Sequence, residues 1–116
     1  MVQYFDEATA QDLLNRGQLD DCIRYARPCV AVELLRAKQS LPSQTQWEDL
    51  EGEYNLYLTL AVHRYDRTKG SRLFTWITNY LRYGRLNFIK REAKFGNANI
   101  QLDQHQFIIT IDPPGL

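Results

Sequence analysis

Basic and aromatic side chains are interleaved along residues 64–94 of this chain. All nine bases of residues 55–116 fall in this run, together with the acids Asp66 and Glu92. Cations arranged in this way follow the phosphates of nucleic acid, and aromatic faces stack on unpaired bases. The residue types and their spacing therefore favour binding to single-stranded nucleic acid.

Four helices are predicted to position these side chains, because apolar residues recur at every third or fourth place. Asp6 is a suitable N-cap for the first helix, and Gly17 ends it. Pro28 lies inside the second helix, where it should kink or interrupt the chain. Gly70 lies in the turn before the fourth helix. The predicted helices cover residues 6–16, 19–38, 47–65 and 72–93.

The predicted fold class is all-α, a small helical bundle with an extended C-terminal tail. Residues 1–94 form one helical domain in this prediction, and residues 95–116 form the tail. Residues 95–99 break the last helix, and residues 106–111 are rich in β-branched side chains, which favours a strand. The strand either folds back on the domain or attaches another protein, and the sequence leaves both interpretations open.

The formal net charge of zero hides an uneven distribution. Residues 1–54 contain ten acids and five bases, whereas residues 55–116 contain nine bases and four acids. A molecule divided in this way can offer one face to a basic protein and another to a polyanion.

Other chemistry is sparse. Cys22 and Cys29 lie on one face of a predicted helix, which favours two buried thiols in a reducing cytosol. His63 and His105 join no cysteine or carboxylate at the spacing of metal ligands. We therefore expect no enzyme activity, catalytic residue, metal or cofactor. The acidic start and the lack of a long apolar run predict a cytoplasmic protein that does not contact a membrane.

Residues 49–92 resemble region 2 of sigma-70-type transcription initiation factors. The family pattern is close to D-L-x-Q-E-G-x-x-G-L-x-x-A-V-x-x-F-D-x-x-x-G-x-x-F-x-T-[YW], followed by an Ile/Leu-Arg pair. This chain follows the pattern without a gap, although Gly52 and Tyr54 replace its Gln and the next Gly. Along the pattern the chain reads Asp49-Leu50, Glu53, Asn55, Leu58, Ala61-Val62, Tyr65-Asp66, Gly70, Leu73, Thr75-Trp76 and Leu81-Arg82.

The third predicted helix carries the protein-binding part of the resemblance. In sigma factors this helix packs on the clamp helices, a basic coiled coil in the largest subunit of the polymerase core. The resemblance therefore implies that Asp49, Glu53 and Asn55 contact a bacterial-type RNA polymerase. The alternative is that these acids only pair with the positive end of the helix dipole on a solvated face.

The turn and fourth helix carry the DNA-binding part. In the family they engage the non-template strand of the −10 promoter element, and the resemblance implies that Trp76 stacks on a flipped base. Asn79 and Tyr80 occupy the positions of the Trp-Trp pair of primary sigma factors. Tyr83 occupies a position that often faces the −12 base pair. The implied phosphate contacts are Lys69, Arg72, Arg82, Arg85, Lys90 and Arg91.

A structural alternative exists for the same helix. Its apolar residues also form a stripe that could fill a core, in which case the basic residues would be merely solvated. That stripe consists of Trp76, Ile77, Tyr80, Leu81, Phe88 and Ile89.

The function implied by the resemblance is a transcription initiation factor that binds core polymerase and recognises and melts a −10-like element. The sequence ends at residue 116, and we expect no domain that reads the −35 element. Three interpretations follow. The chain is a minimal, phage-like factor helped by a co-activator, half of a split sigma whose −35-reading subunit is separate, or a decoy that regulates polymerase by protein contact without reading DNA.

Overall fold

The computed structural model describes residues 4–94, which fold into four α-helices and a short 3₁₀ turn at Arg67–Lys69. The all-α prediction is therefore confirmed. The predicted break at 95–99, the predicted strand at 106–111 and the rest of the tail lie outside the described residues. The helices are α1 (Glu7–Asn15), α2 (Leu19–Ser40), α3 (Trp47–Arg64) and α4 (Leu73–Lys94).

Local sequence signals fix both ends of α1. The side chain of Asp6 accepts a hydrogen bond from the backbone N–H of Thr9 at 3.0 Å, which makes it the predicted N-cap of α1. Gly17 ends α1 with a φ of 74°, a conformation that costs glycine little. Of the two predicted effects of Pro28, a kink or an interruption, the interruption does not occur, because α2 continues through it to Ser40. Pro28 is exposed, so water can solvate the carbonyl that loses its partner.

The core lies between α2, α3 and α4. Helices α3 and α4 form an antiparallel hairpin with the most extensive contacts in the fold, and α2 packs against both. The short α1 packs on α2 and on α4. The largest fully buried side chains are Trp76, Tyr54, Tyr80, Leu50, Leu58, Leu73, Ile77 and Leu81.

Helix α4 lies close to α3 at Gly84. A Cβ atom at this position would lie 3.0 Å from Cδ1 and 3.1 Å from Cγ of Tyr57. The Tyr57 ring has little freedom to retreat, because its hydroxyl accepts a hydrogen bond from the side-chain amide of Asn87 on α4. Glycine at position 84 thus allows the two helices to approach.

Two glycine-to-alanine substitutions should have opposite effects on stability. Gly52 is an exposed residue within α3 with no atom near its Cβ position, so Gly52→Ala should stabilise the protein by about 1 kcal/mol through helix propensity. Gly84→Ala gains the same propensity, but it overpacks the hairpin and should lower the free energy of unfolding by about 1 kcal/mol. Urea denaturation of both variants measures this, and equal stabilisation by both would contradict the close packing.

Candidate nucleic-acid and protein interfaces

The first half of α3 presents an acidic surface. Of the predicted polymerase contacts, Asp49 and Asn55 are exposed here. Leu56 was missed by sequence reasoning, yet 53% of it is exposed. Leu56 is two residues from buried Tyr54, and residues two apart lie on different sides of a helix. The sequence could therefore have indicated that Leu56 is exposed. We define the acidic face as Glu48, Asp49, Glu51, Gly52, Asn55 and Leu56, all of which are exposed.

Glu53, the third predicted polymerase contact, has a different environment. Its side chain is only 12% exposed and forms a 2.9 Å ion pair with the guanidinium of Arg91 on α4. The hydrogen bond to Glu53 raises the pKa of Arg91 above its usual range. One residue predicted for polymerase and one predicted for DNA therefore bind each other, and they join the hairpin.

The outward side of α4 forms a basic stripe that we define as Arg72, Thr75, Asn79, Arg82, Leu86 and Lys90. These residues recur at intervals of three and four, which places them on one face, and all are exposed or partly exposed. The stripe extends over about 27 Å at 1.5 Å per residue. Tyr83 is partly exposed beside Arg82, and Lys69 is exposed in the preceding turn. No acidic residue belongs to this set.

Trp76 and Tyr80 are in the core, so the expectation that they stack on unpaired bases needs correction. Trp76 is 1% exposed, and its indole N–H donates to the carbonyl of Ala61 at 3.0 Å. The Tyr80 ring stacks on Trp76 with centroids 5.7 Å apart, and Tyr65 meets Trp76 edge-on at 5.5 Å. Neither Trp76 nor Tyr80 offers an accessible face to a base. All six residues of the apolar stripe are buried, so the stripe fills the core.

Arg85 is directed partly inward. Its guanidinium hydrogen-bonds to the hydroxyl of Tyr54, a buried residue of α3 whose pKa is raised to about 12, mainly by burial. Arg85 is accordingly part of the contact between α3 and α4.

Glu7 is a residue that sequence reasoning missed. Its carboxylate accepts hydrogen bonds from the backbone N–H groups of Leu73 at 2.7 Å and Phe74 at 3.0 Å, and so it caps α4. Gln11 donates to the same carboxylate and to the hydroxyl of Tyr65. Through this contact α1 stabilises the N-terminal end of α4, where the helix dipole favours negative charge. No local signal could reveal a cap that joins residues 66 apart in sequence.

A second missed residue is Glu33, which lies on the buried side of α2. Its carboxylate is 3% exposed, with Arg36 at 2.9 Å and Arg82 at 3.8 Å. The hydroxyl of Tyr54 donates to the backbone carbonyl of Glu33 at 3.4 Å. The signal was present in the sequence, because Glu33 interrupts an otherwise apolar stripe that includes Cys29 and Ala37.

The cysteines are buried, as expected, and are free thiols. Burial raises the pKa of Cys22 to about 11 and that of Cys29 to about 12, so neither forms a reactive thiolate at neutral pH. His63 is exposed near the end of α3. Within residues 4–94, no three metal-ligating side chains come together.

None of the helices in the described part of the chain combines the length and apolar character needed to cross a membrane. A scan against protein-family models, a search of curated proteins and a search of solved structures each return no match for this chain.

Proposed function

We propose that this protein is a sigma-like transcription initiation factor that binds core RNA polymerase through α3 and contacts promoter DNA through α4. The observation that carries the proposal is the segregation of charge on one rigid hairpin. The acidic face occupies the start of α3, and the basic stripe follows the outward side of α4. Such a protein would act in the cytoplasm of a bacterial cell or infected host.

The composition of the acidic face supports the polymerase contact. Exposed carboxylates such as Asp49 complement a basic coiled coil and would steer the two proteins together. Leu56 adds an exposed apolar side chain at the C-terminal end of this face, where desolvation favours binding. The resemblance to sigma region 2 assigns the clamp helices of the polymerase as partner, with Asp49 and Asn55 as contacts.

The basic stripe supports the DNA contact. Arg72, Arg82 and Lys90 lie on one face, about 15 and 12 Å apart along the helix, so each can contact a different phosphate. Contacts of this kind position a protein without specifying sequence. Because Trp76 and Tyr80 fill the core, recognition of bases falls to Asn79 and Tyr83, which are partly exposed along the same side. The non-template strand of a −10-like element is the proposed ligand.

The burial of Trp76 and Tyr80 favours a second candidate function. A protein that occupies the clamp helices and regulates polymerase by contact alone needs the acidic face but no base-stacking pair. A split sigma, in which a separate subunit contacts the upstream DNA, is intermediate between the initiation factor and the contact-only regulator.

Transcription reconstituted with core polymerase distinguishes these functions. We expect the full-length protein to direct new, specific run-off transcripts from a total genomic template. Replacing Arg72 by glutamine removes one positive charge from the basic stripe and should reduce these transcripts several-fold. Arg16→Gln is the control, because Arg16 is an exposed base at the C-cap of α1 and lies outside the basic stripe. If the protein binds core polymerase but yields no new transcript, the second candidate function, regulation of polymerase by contact alone, is favoured instead.

A further inference from the structure

The carboxylate of Glu33 lies at the seam between α2 and α4 and divides its two oxygens between two arginines. Oε2 forms a 2.9 Å ion pair with Nη1 of Arg36, which is one helical turn away on α2. Oε1 lies 3.8 Å from Nε of Arg82 on α4. That second distance exceeds the range of an N–H···O hydrogen bond, so Arg82 is attracted to Glu33 without being fully engaged by it.

Positive charge exceeds negative charge at this seam. One carboxylate faces two guanidinium groups, and the side chains of both arginines are 55% exposed although Glu33 is almost fully buried. Glu33 therefore offsets the repulsion between Arg36 and Arg82, while about half of each arginine side chain stays accessible to solvent. Two adjacent guanidinium groups can donate several hydrogen bonds to one oxyanion, which is the geometry that suits phosphate.

We infer that Arg36 and Arg82 form a clasp for a single phosphate of the nucleic-acid backbone, with Glu33 as the residue that positions them. The inference rests on the proposed function, because Arg82 belongs to the basic stripe. It extends the DNA-contacting surface from α4 onto α2, to an arginine that precedes residues 49–92, the core of the resemblance to sigma region 2. A structural ion-pair network without a ligand is the competing explanation.

The salt dependence of single-stranded DNA binding tests the clasp. The full-length chain would be titrated with a mixed-sequence oligonucleotide at several salt concentrations, since the slope of log K against log salt is about −0.7 per phosphate neutralised. Arg36→Gln should weaken binding several-fold at low salt. Because both arginines hold one phosphate, the double variant Arg36→Gln with Arg82→Gln should have a slope of log K against log salt that is shallower by about 0.7 in total.

Arg27→Gln is the matched control. Arg27 is an exposed arginine of the same helix, and its nine-residue separation from Arg36 places it on the opposite side of α2. Its replacement should leave affinity and slope unchanged. Thermal melting of every variant separates a loss of binding from a loss of folding.

Three outcomes would overturn the clasp. If Arg36→Gln binds like the wild type while Arg72→Gln binds more weakly, the clasp is wrong and the proposed function stands. A slope change of about 1.4 in the double variant would mean that the arginines contact separate phosphates. If the wild-type chain shows no salt-dependent DNA binding, both the clasp and the DNA-contacting part of the proposed function fail.

Discussion

Replacing Trp76 by alanine is expected to destabilise the whole domain by about 3–5 kcal/mol, a large part of the stability of a small domain. The indole is 1% exposed, packs between Tyr65 and Tyr80, and donates a hydrogen bond to Ala61. Its removal leaves a cavity in the core, near the turn that joins α3 and α4. Urea denaturation followed by circular dichroism measures the loss.

Trp47→Ala is the matched control for this substitution. Trp47 is partly exposed at the start of α3, where Lys38 lies 5.8 Å from its ring centre, so its removal should cost much less. Equal losses from the two substitutions would contradict the buried position of Trp76. If Trp76→Ala unfolds as expected, a defect in promoter opening caused by this variant reports on folding rather than on base stacking.

Reversing the charge of Glu53 is the second change with a large expected effect. Glu53→Arg would bring two guanidinium groups together where Glu53 and Arg91 now form an ion pair, and it should destabilise the hairpin by about 2 kcal/mol. Binding to core polymerase should weaken as a consequence. The double exchange Glu53→Arg with Arg91→Glu restores an opposite pair and should recover most of the stability.

Polymerase binding by the double exchange then separates two roles of Glu53. We expect binding to recover together with stability, because the side chain is largely enclosed and serves the contact between α3 and α4. A double variant that folds like the wild type but binds polymerase at least tenfold more weakly would show that Glu53 itself contacts the partner. Pull-down with purified core and thermal melting together give both quantities.

Local features of the fold were predictable because local chemistry determines them. The Asp6 cap, the turn at Gly17 and the four apolar periodicities each depend on residues within a few positions of one another. The same periodicity placed Trp76 and Tyr80 on a core stripe, whereas the resemblance to sigma region 2 assigned them to DNA. The rings are equally suited to either environment, and packing of the hairpin decided between them.

The contacts that join helices could not be read from the sequence in the same way. Glu7 caps α4, and Glu53 pairs with Arg91, only because tertiary packing brings distant residues together. Glu33 is an intermediate case, because an acid on an apolar stripe predicts a buried partner without identifying it. Arg82 became its partner through the approach of α2 and α4.

The affinity of the full-length chain for purified core RNA polymerase tests the proposed function most directly when two charge reversals are compared. Asp49 and Asp20 are both exposed acids in the first turn of a helix, α3 and α2 respectively, so reversal should perturb folding equally. We predict that Asp49→Lys weakens binding at least tenfold, about 1.4 kcal/mol, whereas Asp20→Lys binds like the wild type. Equal affinities for both variants, or no binding of the wild-type chain, would contradict the acidic face as the polymerase-binding surface.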